Sequence, residues 1–180
     1  MSERKLHPLV EYELSFLGKD DPAEVMAATP QKLREIIAGV DDDSLRRRPK
    51  PDSWSTIELL GHFADIELIH GERFRRILAE DKPRLVPFDP DGWNAAFDHA
   101  KRSPAEHLAL FDALRRANLD LWRRASPEQR AREYVHGERG TESYELLFKM
   151  CAGHDRLHMA QMQEALSAAR QDRGTQAAAG

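Results

Sequence analysis

Helix-start signals recur along this chain and constrain its fold more than any other feature. Thr29-Pro30, Ser103-Pro104 and Ser126-Pro127 each place a hydroxyl residue before a proline. The hydroxyl accepts a backbone N–H that has no partner at a helix start, and proline lacks the N–H that would go unused there. Ser55, like Ser103, is followed three residues later by a glutamate, which is the spacing of a capping box.

These signals predict an all-α protein. Sustained alternation of β-branched and polar residues is missing from the sequence, so no strand is predicted. The expected architecture is a four-helix bundle with an extra N-terminal helix. The predicted helices lie near 8–17, near 22–39 with a break at Thr29-Pro30, and near 55–80, 104–124 and 142–168.

Two long links and a polar tail complete the predicted organisation. Residues 81–102 contain three prolines and Trp93, and residues 126–140 end in a glycine-rich loop. Long ordered links inside a compact domain are often functional. We expect a single helical bundle domain over residues 1–168. The segment 169–180 has no large apolar residue and is predicted to be a flexible C-terminal tail.

Composition and charge exclude several classes of function. The chain has 27 basic and 31 acidic side chains and a formal charge of −4, which argues against a duplex-DNA partner. It has no apolar run near the roughly 20 residues of a membrane span. A lone cysteine, Cys151, fits a reducing cytoplasm, where we expect this protein to act on a small molecule.

Histidines interrupt two helical stripes that should face the core. One stripe lies on the predicted helix near 55–80 and the other on the last predicted helix, and in both the spacings of three and four residues mark one helix face. The first stripe consists of Leu59, His62, Ile66 and Ile69, and the second of Leu147, Cys151, His154, His158, Gln161 and Ala165.

Together, His62, His154 and His158 can form a metal site. Side chains four residues apart stack on neighbouring helical turns, so His154 and His158 can chelate one divalent ion, and His62 from a facing helix would complete three ligands. The alternatives are a hydrogen-bonded core histidine at His62 and a surface pair at His154 and His158. Three uncompensated imidazoles on core stripes would be poor packing, which favours the metal.

Two segments of the sequence resemble the DinB-like (DinB/YfiT) superfamily. The first runs from Trp54 to Glu67 and is followed by Arg73 and the link 88–93; the second is 153–161. The resemblance implies a four-helix bundle, usually a homodimer, that holds one divalent metal on three histidines. Those positions fall on His62, His154 and His158.

Three activities are open at this point. The family includes thiol-dependent transferases, a mycothiol-dependent isomerase and proposed metal-dependent hydrolases. The resemblance therefore favours a metal-dependent enzyme of the thiol S-transferase type, with a low-molecular-weight thiol as cosubstrate. The alternatives are a metal-dependent hydrolase and a noncatalytic metal-binding dimer. All-imidazole ligation suits zinc, nickel or iron, so the metal's identity is open.

Two residues on the same faces are candidates for catalytic positioning. Gln161 lies one turn beyond His158, where its amide can bond an imidazole or a metal-bound water. Asp65 lies three residues after His62 and can orient a ligand or act as a base. The alternative for Asp65 is an ion pair with Arg73.

Other side chains near the stripes receive mainly structural interpretations. Cys151 is interpreted as a small buried residue rather than a nucleophile. Asp155 is expected to form a salt bridge across the bundle, and Trp54 to pack beside its helix start. We expect His70 to point away from the metal, and His136 is a candidate for the mouth of a substrate pocket.

Overall fold

The computed structural model describes residues 6–178, with side chains described over 6–171. Within that part of the chain, capped helices form most of the structure. Ser55–Glu58 and Ser103–Glu106 both form the predicted capping boxes. The helices are α1 (Pro8–Leu17), α2 (Pro22–Ile37), α3 (Asp42–Arg46), α4 (Thr56–Ala79), α5 (Pro90–Phe97), α6 (Pro104–Arg124), α7 (Pro127–Arg130) and α8 (Tyr144–Ala178), with a 3₁₀ turn at His99–Lys101.

Four long helices form a closed bundle. Helices α2 and α4 each pack against both α6 and α8, and α1 lies along α8 as an extra N-terminal helix. The backbone of α1 comes so close to α8 that a Cβ at Gly153 would lie 2.0 Å from the Glu13 carbonyl oxygen. Glycine is required there because any side chain would separate the two helices. The structure therefore confirms the predicted four-helix bundle.

The predicted break at Thr29-Pro30 is wrong. Helix α2 continues through Pro30 without interruption. Proline has no N–H to donate to the carbonyl of Met26, four residues earlier, which normally breaks a helix. Here the Arg115 guanidinium donates to that carbonyl at 2.9 Å, and the Thr29 hydroxyl bonds the Val25 carbonyl. A side chain from α6 therefore replaces the missing helical hydrogen bond.

The absence of strands was also a wrong expectation, although the fold is mostly helical. The two long links contribute a small sheet of β1 (Arg84–Leu85), β2 (Glu133–His136) and β3 (Gly140–Ser143). Strand β1 pairs parallel to β2, and β2 pairs antiparallel to β3, with His136 opposite Gly140. Because β3 leads directly into α8, the sheet fixes where α8 begins.

Buried polar side chains separate two apolar clusters in the bundle. One cluster includes Met26, Phe74, Leu119 and Phe148, and the other includes Leu33, Phe63, Phe111 and Met159. On each of the four long helices, a buried polar residue lies between these levels in sequence. These residues, Thr29, Glu67, Arg115 and Asp155, are called the central polar layer.

Helix α8 extends beyond the predicted end at 168, to Ala178. The flexibility predicted for 169–180 stays a prediction, and the side chains of 172–180 lie outside the described residues. None of the described helices is long and apolar enough to span a membrane.

Candidate metal centre

The three predicted histidines meet between α4 and α8. Nε2 of His154 lies 3.2 Å from Nε2 of His62 and 2.9 Å from Nε2 of His158. All three potential ligand atoms lie within 4.8 Å of one another. The predicted convergence of these side chains is confirmed, because the turn spacing on α8 and the packing of α4 against α8 bring the rings together.

This geometry fits a divalent ion. Two nitrogens on a tetrahedral zinc, each about 2.05 Å from it, lie roughly 3.3 Å apart. The Nε2 separations of 2.9 and 3.2 Å are close to that distance. A neutral imidazole carries a single N–H, on one of its two ring nitrogens. Without an ion, the three converging Nε2 atoms could therefore not all be satisfied by hydrogen bonds with one another. A cation at the centre satisfies all three nitrogens at once.

The electrostatics of the cluster keep the rings neutral. Burial, and then the neighbouring histidines, lower the pKa of His62 and His154 well below the usual value. Burial also lowers the pKa of His158 to about 4, although the Gln161 hydrogen bond opposes the shift. Only neutral imidazole binds a metal, so protons do not compete for these nitrogens near pH 7.

Gln161 fixes the tautomer of His158. Nδ1 of His158 donates to Oε1 of Gln161 at 2.7 Å, which places the proton on Nδ1. Nε2 of His158 then presents its lone pair to the other two histidines. The contact predicted between Gln161 and an imidazole is present, and its effect on catalysis stays a prediction.

Asp65 contacts neither a metal ligand nor Arg73. Its Oδ2 lies 2.8 Å from Nε2 of His99, which follows α5 in the link 81–102. The His99 ring fits against α4 because residue 61 is glycine, since a Cβ there would lie 2.2 Å from the ring. Asp65 therefore fastens the link to the bundle, and the ion pair considered with Arg73 is not formed.

The central polar layer holds α8 next to His154. Asp155 accepts hydrogen bonds from Arg115 at 2.5 and 2.9 Å and from the Thr29 hydroxyl at 2.7 Å. Arg115 also donates to Glu67 of α4 at 2.8 Å. The predicted salt bridge of Asp155 across the bundle is confirmed. Because this network joins four helices, it fixes the rotation of α8 that aims His154 at α4.

Cys151 is a buried thiol beside the cluster. Its Sγ lies 3.0 Å from Nδ1 of His70, and both side chains are buried. Burial raises the pKa of the thiol, and the Glu67 and Asp155 carboxylates raise it further. The thiol therefore stays protonated, which agrees with the structural interpretation. The position of His70 is explained by this contact with sulfur.

A cavity of about 350 Å³, called the main pocket, opens beside the three histidines. Its walls include apolar side chains from α1, α4, the link 81–102 and α8. Arg73 and Arg139 also line it, together with Glu13 and the predicted mouth residue His136. The apolar lining residues include Leu9, Ile66, Phe88, Leu147, Met150 and Leu157.

A second cavity of about 350 Å³, called the polar groove, is also lined by His158. Asp52, Asp91 and Glu164 line it, and so does Gln161. The polar groove and the main pocket share Trp54, Pro90 and His158 as lining residues. The candidate ligand His158 therefore lines both cavities.

Trp54 was interpreted only as a packing residue, but it also belongs to the site. Its ring centroid lies 4.8 Å from that of His62 and 6.3 Å from that of His158, to which it is nearly parallel. An aromatic residue in this position limits water access to both rings. The sequence signal was its place directly before Ser55, the N-cap of α4, and eight residues before His62.

Two titratable side chains of the main pocket have pKa values far from their ordinary ones. Burial raises the pKa of Glu13 to about 7, opposed by Arg139. Burial, with Arg139 and Arg73, lowers the pKa of His136 to about 4. Arg139 donates to Glu142 at 2.8 Å and is thereby neutralised. No pattern in the sequence identifies Glu13, Arg73 or Arg139 as a site residue.

Comparison with known proteins identifies the family. The family model described as the DinB superfamily matches residues 26–162, which include all three histidines. The chain belongs to the DinB superfamily. This confirms the resemblance found in the sequence.

Curated relatives in the DinB superfamily are similar over most of their length. YfiT from Bacillus subtilis (strain 168), a proposed metal-dependent hydrolase, is 26% identical over 134 residues, covering 72% of this chain and 75% of YfiT. A proposed metal-dependent hydrolase from Oceanobacillus iheyensis is 26% identical over 137 residues, covering 76% of this chain and 78% of the relative.

Solved structures share the DinB-like fold. YfiT from Bacillus subtilis, described as having an unusual four-helix bundle topology, superposes with a TM-score of 0.76 at 23% identity and covers 80% of this chain and 83% of YfiT. A mycothiol-dependent maleylpyruvate isomerase superposes with a TM-score of 0.63 at 14% identity, covering 87% of this chain and 61% of the isomerase. These similarities establish the bundle.

Proposed function

We propose that this protein is a divalent-metal-dependent enzyme that activates a thiol, or water, for attack on a small electrophilic substrate. The observation that carries the proposal is the convergence of three Nε2 atoms at the edge of the main pocket. Three protein ligands leave at least one coordination position for water or substrate, the arrangement of catalytic rather than structural zinc. The group of metal-ligating side chains found among the described residues has three members, with no fourth protein ligand.

The chain's own residues hold and orient the metal. His62, His154 and His158 supply neutral nitrogens, and Gln161 keeps the proton of His158 on Nδ1. A metal held there would supply a thiol or water that is deprotonated at neutral pH. Trp54 shields the histidines from bulk water.

The two cavities favour a transferase of the thiol S-transferase type. A transferase must bring two substrates together, and here two cavities of about 350 Å³ meet at His158. We place the electrophile in the main pocket, which is mostly apolar, and a polar low-molecular-weight thiol in the polar groove. In the reaction, the thiol sulfur bonds to the electrophilic carbon, the leaving group departs with its electron pair, and the thiol proton passes to water.

Of the two alternative functions, a hydrolase and a noncatalytic bundle, the hydrolase has support of its own. A hydrolase needs a single substrate, and the curated relatives are named as proposed metal-dependent hydrolases. A noncatalytic metal-binding bundle would need neither cavity. A homodimer, implied by the family resemblance, is part of the proposal and is tested by light scattering of the purified protein.

The test is a panel of cellular thiols assayed with 1-chloro-2,4-dinitrobenzene, using metal-loaded and metal-stripped protein. Turnover by the metal-loaded form with at least one thiol, lost on stripping and in His158→Ala, is the expected result. His107→Ala is the matched control, because His107 is a buried histidine of α6 that bonds the His99 carbonyl. Equal turnover with and without metal would contradict the mechanism. Ester hydrolysis without thiol turnover would favour the hydrolase.

A further inference from the structure

A buried arginine of the main pocket lacks an acidic partner. Arg73 of α4 is 6% exposed and lines the pocket together with His62 and His154. Its Nη2 donates to the Val86 carbonyl at 2.9 Å, and its guanidinium carbon lies 6.0 Å from the centre of the Phe88 ring. Among the ion pairs of the described residues, none includes Arg73.

The other enclosed arginines are neutralised. Arg115 pairs with Glu67 and Asp155, and Arg139 pairs with Glu142. An isolated buried charge is costly unless it is paired, and a guanidinium cannot lose its proton in a protein. Arg73 therefore brings to the main pocket a buried positive charge that has no ion-pair partner.

Two carboxylates line this pocket, those of Glu13 and Glu138, and neither is paired with Arg73 among the ion pairs of the described residues. Burial raises the pKa of Glu13 to about 7, and the charges that act most on its carboxyl group are those of Arg139 and Glu142. The pocket thus combines mostly apolar walls with an arginine that has no ion-pair partner.

We propose that Arg73 binds the carboxylate of the substrate, so that the main pocket takes a small apolar monocarboxylate whose reactive carbon faces the three histidines. A planar guanidinium matches a carboxylate in a two-bond arrangement. One unpaired cation balances a monoanion better than a phosphate dianion. This inference deepens the proposed function by naming its substrate class, and it rests on that function only for the reaction itself.

The first test needs no variant. Binding of benzoate, benzamide and phenyl phosphate to wild-type protein is measured by calorimetry, with zinc loaded and with metal removed. Benzoate should bind both forms at least tenfold more tightly than benzamide, which has the same ring without the charge. Failure of benzoate to bind, or equal affinity for benzamide in the metal-stripped form, would overturn the proposal. Tighter binding of phenyl phosphate would overturn the carboxylate assignment.

The second test uses Arg73→Gln with Arg76→Gln as its matched control. Arg76 lies on the same helix, and its replacement removes the same charge, but Arg76 pairs with Glu80 outside the pocket. Arg73→Gln should weaken benzoate binding about tenfold or more and leave benzamide unchanged, whereas Arg76→Gln should change neither. Unaltered benzoate affinity in folded Arg73→Gln would show that Arg73 does not hold the anion, and binding found only with zinc would show that the metal holds it.

Metal content and thiol turnover are measured on the same samples. Benzoate binding that depends on Arg73 in a protein without metal or turnover would refute the proposed function and leave the anion site standing. Turnover without Arg73-dependent benzoate binding would support the proposed function and refute the anion site.

Discussion

Replacing Arg115 by methionine should be one of the most damaging single substitutions in this bundle. The side chain is 1% exposed and bonds Asp155, Glu67 and the carbonyl of Met26. Burial lowers the pKa of Arg115, but the two carboxylates outweigh this effect and raise the pKa far above its ordinary value. Methionine fills similar space but leaves both carboxylates buried without their cation.

The expected loss follows from these contacts. Removing one partner of a buried ion pair typically costs about 3–5 kcal/mol, because the remaining charge is uncompensated. The Met26 carbonyl opposite Pro30 also loses its donor, which adds about 1 kcal/mol. A total of about 4–6 kcal/mol corresponds to a fall in Tm of roughly 8–24 °C for a chain of this size.

Urea denaturation followed by circular dichroism measures this free energy of unfolding. Arg116→Met is the matched control, since Arg116 is the next residue of α6 and is exposed; it should change stability by less than about 0.5 kcal/mol. A loss below about 1 kcal/mol for Arg115→Met would refute the view that the central polar layer stabilises the bundle as a charged network. Since Asp155 adjoins His154, we also expect weaker metal binding in this variant.

Three further predictions concern the site. The folded state holds the Glu13 proton more tightly than the unfolded chain, because the pKa rises from 4.5 to about 7. The free energy of unfolding should therefore fall as pH rises through this window. Glu13→Gln should remove up to about 3 kcal/mol of that loss at pH 8, which thermal melts from pH 4.5 to 8 would measure. Cys151→Ala should keep its activity in the thiol assay, because the thiol is buried and protonated; loss of turnover with metal retained would contradict this. Gln161→Leu should weaken metal affinity about 10–100-fold in a chelator competition by releasing the His158 ring, whereas Gln163→Leu, an exposed neighbour, should not.

Local signals in the sequence predicted the helices well. The capping boxes at Ser55 and Ser103 form as expected, since both partners lie within one turn of each other. The failure at Pro30 has a nonlocal cause. Its missing hydrogen bond is replaced by Arg115, which lies on another helix far along the chain. No local pattern carries that information.

The small sheet escaped prediction for a similar reason. Its strands are two to four residues long, which is too short for alternation to be recognised. Strands β1 and β2 pair with each other although helix α6 lies between them in the sequence. Pairing of this kind is decided by the packing of the links on the bundle. The links were correctly selected as unusual, but their structure depends on contacts such as that of Asp65 with His99.

The candidate site could be predicted in part. His154 and His158 lie one turn apart, and His62 interrupts an apolar stripe, so helical periodicity alone brings the three into view. The main pocket could not be derived this way. Glu13 reaches it from α1, and Arg73 is significant because it is buried without an ion-pair partner, which is a property of the folded chain.

The most direct test of the three-histidine centre is the metal content of the purified chain. Elemental analysis should find about one divalent ion per chain in the wild type and in His107→Ala. His62→Ala, His154→Ala and His158→Ala should each lose most of it while keeping the helical circular dichroism signal, because the two apolar clusters remain intact. Full metal occupancy in any two of the three variants would contradict the assignment of these histidines as ligands.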